Sequence, residues 1–301
     1  MALSFLDTLG TISLSVDDSV EVERFLLNIE ELIKTVKLTE SELSFVLSKI
    51  THQFIPVLIQ GIKSPDFDQD VLMRALSFFT DHLSEFSREY WEYFCNLGQK
   101  CYKISPTNKI KVCGLQLVQL VVAKNPEHDF DVAGFAKFLI RELTATTKLN
   151  PTLTKEIYTC LGCLCAASPE KMKGYETQIK TYLMNTLDRQ TKSTTGSTVD
   201  ATILEGCFKG LDHFLVAYRE TTFNKDNNGK SKLYETLVKS CIHPNESKER
   251  RVYRRASLNL FAHHCVIWEK SILEDCKHWY ITIKDWTYSF NSEVIHGQNF
   301  V

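Results

Sequence analysis

Cys160, Cys163 and Cys165 come closest in this chain to the spacing of a metal knuckle. A structural zinc needs four ligands converging as a tetrahedron, and a second pair normally follows nearby. No second Cys-x-x-Cys exists, and these three stand in an apolar run beside Leu161 and Leu164. Free cysteine in such a run behaves as a small hydrophobe, so the expectation is core thiols and no metal. His263, His264 and Cys265 invite the same thought. Neighbouring helical residues do not face one direction, so that pair reads as structural. Phosphate-cradling glycine loops, nucleophile elbows, zinc-protease helices and kinase catalytic loops are all missing. The chain is therefore expected to carry no catalytic site and no cofactor.

The charge pattern says more. The run KERRVYRR, Lys248 to Arg255, holds five cations and one anion, net +4, within a chain of net charge −2. It falls where a helix should begin, just after His243-Pro244 and Ser247. Cations there oppose the helix macrodipole, by typically about 0.3–1 kcal/mol each near the end. Folding alone would favour acids at that place. Phosphate is the partner that matches it, because helix N-termini also present free backbone N–H groups. Lys248, Arg251 and Arg255 fall on one helical face, with Arg250 and Arg254 on the face beside it. Lys109 with Lys111, and Lys171 with Lys173, are weaker basic pairs near other helix starts. A stacked array could gather all of these into one stripe. A charged, solvated face is the bland alternative.

What must position these residues is a set of helices. Only 12 Gly and 7 Pro are spread over 301 residues, too few for a turn-rich sheet fold. Helix-start signals recur at Ser64-Pro65, Ser105-Pro106, Asn150-Pro151, Ser197 and Ser247. Their steps of 41, 45, 47 and 50 residues suit a two-helix HEAT-like unit. NPE at Asn125 and SPE at Ser168 echo each other in the turns. Apolar stripes of helical period follow: Ile110, Leu115, Val118, Leu120 and Val122; Phe135, Phe138, Leu139 and Leu143; Leu204, Phe208, Leu211 and Leu215. Gly114, Gly162, Gly206 and Gly210 would permit close helix packing. The N-terminal part reads as two helices, Val20 to Val36 and Thr39 to Ile62. Thr39 and Glu42 form a capping box, and Pro56 should kink the second helix. The segments 189–200 and 221–232 read as exposed loops. The architecture expected is all-α: an α-solenoid of stacked HEAT-like helix pairs. Residues 1–63 supply N-terminal helices, and 64–301 supply about five pairs, the last truncated. No apolar run reaches the ~18 residues of a membrane span. Nothing at the N-terminus resembles a signal peptide, and ten scattered cysteines suit a reducing compartment.

Several segments taken in order resemble a known family. ILEGCFKGL (203–211), RRASLNLFAHH (254–264), EIYTCLGCLCAASPEKM (156–172), GQKCYKI near Gly98 and SPDFDQDVLMRALSFF from Ser64 are similar to the N-terminal helical arm of the DNA-dependent protein kinase catalytic subunit. The resemblance runs from about Ile50 to Glu293. It implies an α-solenoid that binds double-stranded DNA ends and the Ku heterodimer in non-homologous end joining, in the nucleus. The kinase domain of that family lies elsewhere in a much longer polypeptide. This chain is then expected to be the arm alone, contacting the remainder of the kinase, with no membrane partner. The ending NSEVIHGQNFV, after Trp286, reads as a truncated last repeat. Arg250 falls where the family tends to be basic, whereas Arg254 and Arg255 rest on charge alone. The alternative reading is a protein-only HEAT scaffold of the karyopherin or phosphatase type.

Overall fold

The computed structural model describes residues 2–35, 38–125, 130–145, 149–192, 200–218, 232–242 and 248–264. Ser197, Ser247, Pro126, Glu127, His243, Pro244, Cys265 and everything beyond His264 lie outside the described residues. No strand occurs among those described.

Capping chemistry fixes where the helices start. Asn150 caps α9 (Pro151–Ala167) by accepting the N–H groups of Thr152 and Leu153, with Pro151 in the first turn, as its position before proline predicts. Thr39 and Glu42 form the predicted capping box on α3 (Glu40–Lys49). Two expected starts move. Ser64-Pro65 lies in a turn, and α5 (Gln69–His82) begins at Asp68, whose carboxylate accepts the Asp70 N–H. Ser105 terminates α6 (Trp91–Ile104), and its hydroxyl accepts the Thr107 N–H at 3.1 Å. α7 (Asn108–Lys124) starts after Thr107. At α5 a short side chain nearer the apolar periodicity took the cap, whereas at α7 Thr107 holds the N-cap position without a side-chain hydrogen bond. Asp200 caps α12 (Ala201–Ala217) by accepting the Thr202 N–H at 2.7 Å. The expected loop at 189–200 is shorter on its N-terminal side, because α11 (Glu176–Lys192) extends into it.

The N-terminal region adds α1 (Ala2–Thr11) to the two helices expected, of which α2 spans Ser19–Thr35. Pro56 does not break its helix. The turn before it, Ile50–Phe54, widens to π geometry, and α4 (Ile55–Gly61) carries on. The Ile55 N–H reaches back to the Ile50 carbonyl. One wide turn is a known way to absorb a residue that cannot donate.

The helices stack in two layers. α5, α7, α9, α12 and α14 (Lys248–His263) pack side by side in one. The other takes α4, α6, α11 and α13 (Lys232–Ile242), with α8 (Val132–Ala145) and the short α10 (Pro169–Met172) between. The helices that follow the five expected starts, α5, α7, α9, α12 and α14, all belong to the first layer. A contiguous core runs from Leu9 to Phe261. Phe25, Phe54, Phe79, Phe86 and Phe94 join α2, the π turn, α5 and α6 through a chain of rings, with Phe79 and Phe94 stacked at 4.7 Å. The all-α solenoid expected from the sequence is the fold observed.

Two glycine seams set the closest approaches. Gly98 of α6 faces Gly114 of α7, where an added Cβ would lie 2.6 Å from the opposing carbonyl oxygen. Gly162 of α9 meets the Gly210 backbone of α12, and Gly206 meets Lys155. A side chain at any of these would separate the helices.

Candidate nucleic-acid interface

The basic run occupies the first turns of α14, which begins at Lys248. Its opening backbone N–H groups have no intrahelical acceptor, so donors and cations gather at the same helix end. Among the side chains of the run, that of Arg255 is described, and it is exposed.

The direction of the stack decides which other cations can join it. Lys155 of α9 lies beside Gly206 of α12, and Tyr158 beside Gly210. The Tyr218 hydroxyl, just past α12, donates to the Pro169 carbonyl, just past α9, at 2.8 Å. α9 and α12 therefore run parallel. α14 joins them near the same ends, because His263 and His264 meet Asp212 in the second half of α12. The N-terminus of α14 thus shares an edge with those of α9 and α12.

Lys171 and Lys173 are exposed in α10 and the tight turn after it, beyond the C-terminus of α9. α9 has 17 residues, about 25 Å at 1.5 Å per residue, so this pair stands on the opposite edge from the basic run. Lys109 is exposed and Lys111 half-buried in the first turn of α7. The Lys111 ammonium lies 5.9 Å over the Tyr102 ring. α9 and α12 stand between α7 and α14, a separation of roughly 25–30 Å at ordinary helix spacing. The described helices thus set Lys171 and Lys173 on the edge away from the basic run, and Lys109 and Lys111 some distance along the layer from it.

Between these places the layer carries balanced polar links. Gln116 and Gln119 donate to the buried Glu156 carboxylate at 3.2 and 3.0 Å. Lys155 and Lys209 both pair with Glu205, at 2.9 and 3.1 Å. The Lys155 hydrogen bond, then that from Lys209, hold the Glu205 carboxyl below its ordinary range against partial burial.

Cys160, Cys163 and Cys165 are buried in α9. Burial pushes the thiols of Cys163 and Cys165 up to about 12 and that of Cys160 well above the ordinary range. All three stay protonated at neutral pH, which suits apolar packing and not thiolate chemistry. His263 and His264 are structural, as expected, but their rings do share a direction. Although adjacent, both rings reach one carboxylate: His264 Nε2 is 2.8 Å and His263 Nδ1 3.2 Å from Asp212 Oδ1. α14 ends at His263, and leaving the helix re-aims His264. The two histidines and the acid form a tie between α12 and α14. Sequence reasoning missed Asp212, though its offset of 51 residues from His263 is close to one repeat.

Two layers of stacked helices, with exposed polar edges, define a helical-repeat arm. The chain belongs to the DNA-PKcs N-terminal family: that family's model, "DNA-PKcs, N-terminal", matches residues 23–299. The DNA-dependent protein kinase catalytic subunit of Dictyostelium discoideum is 25% identical over 162 residues, 54% of this chain and 4% of its own length. That of Canis lupus familiaris is 20% identical over 245 residues, 79% of this chain and 6% of its own length. The chain thus spans a small fraction of these relatives, and the match falls on the N-terminal region rather than on a kinase domain. No described helix is long and apolar enough to cross a membrane.

Proposed function

We propose that this chain is a non-catalytic arm of a DNA-dependent protein kinase homologue. In this reading it binds DNA ends and the Ku heterodimer during double-strand break repair by non-homologous end joining, in the nucleus. The observation that carries the reading is the basic opening of α14 in a member of this family. Lys248, Arg250 and Arg251 fall in the first turn of α14, where cations are costly to folding and suited to phosphate oxygens. Such contacts bind without regard to sequence and weaken as salt rises. Lys248, Arg250, Arg251, Arg254 and Arg255 form the principal contact, with Lys109 and Lys111 subsidiary.

The test is fluorescence anisotropy of a labelled blunt duplex with the 301-residue chain at several salt concentrations. Reversing the five basic residues of the run to Glu should weaken binding. It should also flatten the salt slope by about 0.9 for each phosphate that is no longer neutralised. Unchanged affinity and slope would overturn the assignment of the run. Co-precipitation with Ku, with and without duplex, tests the second partner.

One observation favours the protein-only scaffold instead. Lys155, Glu205 and Lys209 put partly exposed charges of both signs on the first layer, as suits a peptide more than a phosphate backbone. Ku capture that persists without DNA, combined with no duplex binding, would select that reading.

A further inference from the structure

α3, the π turn and the start of α6 carry exposed side chains that the basic run does not explain. Phe45 and Tyr93 are two of the few large apolar side chains left in solvent among the described residues, 40% and 38% exposed. Each ring neighbours a lining residue of a cleft of about 520 Å³ between the α1–α2 connection and the π turn, though neither lines it. Its walls are Gly10 to Leu14 on one side and Lys49, His52, Gln53, Pro56 and Val57 on the other. Phe45 reaches the rim beside Gly10, where a Cβ would lie 4.0 Å from its Cζ. Tyr93 stands edge-on to the His52 ring, with centroids 5.8 Å apart. Lys49 Nζ lies 5.9 Å over the Phe45 ring and donates to Gln53 Oε1 at 3.1 Å.

Chemistry and shape agree on one kind of ligand. Among the described residues no carboxylate lines the cleft, so Lys49 is the sole full charge in its walls. The hydroxyls of Thr11 and Ser13 and the side chains of Gln53 and His52 add hydrogen-bonding groups around it. Two solvent-exposed rings beside a cation make a stacking platform next to an anion-binding group. That combination is how proteins hold a base together with its phosphate. A bare phosphate or an acidic peptide would leave the two rings unused. The π turn explains the arrangement: widening the helix by one residue at Ile50–Phe54 shifts the register between Lys49 and Pro56. Turns of this kind recur at functional sites.

We infer that the cleft between the α1–α2 connection and the π turn binds a nucleotide unit, packing its base against both Tyr93 and Phe45 at the cleft's margin and its phosphate on Lys49. The site lies in the N-terminal helices, away from α14. It extends the nucleic-acid reading above but does not depend on the basic run, so the two can fail separately.

The experiment measures anisotropy of labelled dT8 and rU8, competition by free AMP, and binding of the blunt duplex and of a labelled phosphoserine peptide. Chains carrying Phe45→Ala, Tyr93→Ala, Tyr93→Phe or Lys49→Gln are compared with the unaltered protein. Each loss of a ring should weaken dT8 about tenfold or more. Tyr93→Phe should retain binding, and duplex affinity should be unchanged in all four. Competition by AMP assigns the site to a free nucleotide, and its absence to an unpaired nucleotide within a strand. Both support the inference, and rU8 matching dT8 means only that the sugar is not read. Each ring is about three-fifths covered, so the Ala variants are compared at a temperature where melting curves show them folded, and Tyr93→Phe, which keeps the ring, serves as the control. Binding of dT8 that ignores Phe45 and Tyr93, no binding of dT8, rU8 or AMP, or tight binding of the phosphopeptide alone would overturn the inference.

Discussion

Asp212 shows how one carboxylate can tie two repeats together. Its carboxyl is held below the ordinary range, first by the His264 hydrogen bond and then by that from His263, against partial burial. A depressed folded pKa contributes stability above the unfolded value, lost as pH falls through the folded one. Asp212→Asn should therefore be less stable than the unaltered chain near neutrality. The difference should shrink once pH drops through and below about 4, the ordinary aspartate range. Urea titrations at a series of pH values read this directly, and a gap that is constant with pH would separate Asp212 from the tie. Glycine at 162 makes the opposite kind of contribution, by having no side chain. Ala exceeds Gly by about 1 kcal/mol in an open helix interior. At Gly162 the added methyl would meet the Gly210 backbone, and overpacking of that kind typically costs about 1–3 kcal/mol. Gly162→Ala should lower the urea midpoint, whereas Gly174→Ala, with open space around it, should leave it nearly unchanged.

At the scale of the element, legibility followed the strength of the local signal. Asn150-Pro151 states a helix start twice, once through the cap and once through the fixed φ of proline, and α9 begins there. Ser64-Pro65 and Ser105-Pro106 carry the same letters but sit in turns, because Asp68 and Thr107 stand closer to the apolar repeat. The glycines of α7, α9 and α12 pointed correctly to close packing, whereas the π turn before Pro56 left no trace beyond the proline itself. The tie at Asp212 was hidden for another reason. It depends on how α14 ends and on a partner one repeat away, and neither is a local property. The strength of the α9 start can be measured. Asn150→Ala removes a side chain accepting two backbone N–H groups and should cost about 1 kcal/mol. The urea midpoint should fall with little change in slope, since α9 packs against α7, α8, α10, α11 and α12 and unfolds with them.

For the whole molecule, the direction of stacking matters more than the number of cations. Sequence alone offered three basic clusters and no means of knowing which edge each would occupy. Parallel packing of α9 and α12 sends Lys171 and Lys173 to one edge and the start of α14 to the other, about 25 Å away along the helix axis. That distance exceeds the Debye length of about 8 Å at physiological salt, so the pair adds little to the field at α14. A duplex lying on the α14 edge would release counterions through the basic run without neutralising Lys171 or Lys173. Reversing both to Glu changes the net charge by −4, a change large enough to weaken any binding that depended on overall charge. If the edge governs binding, this double variant should keep the duplex affinity and salt slope of the unaltered chain. Arg250→Glu with Arg251→Glu, which changes the charge by the same amount, should lower both. Equal losses in the two double variants would mean that duplex DNA responds to total charge, and would remove the reason for assigning it to α14.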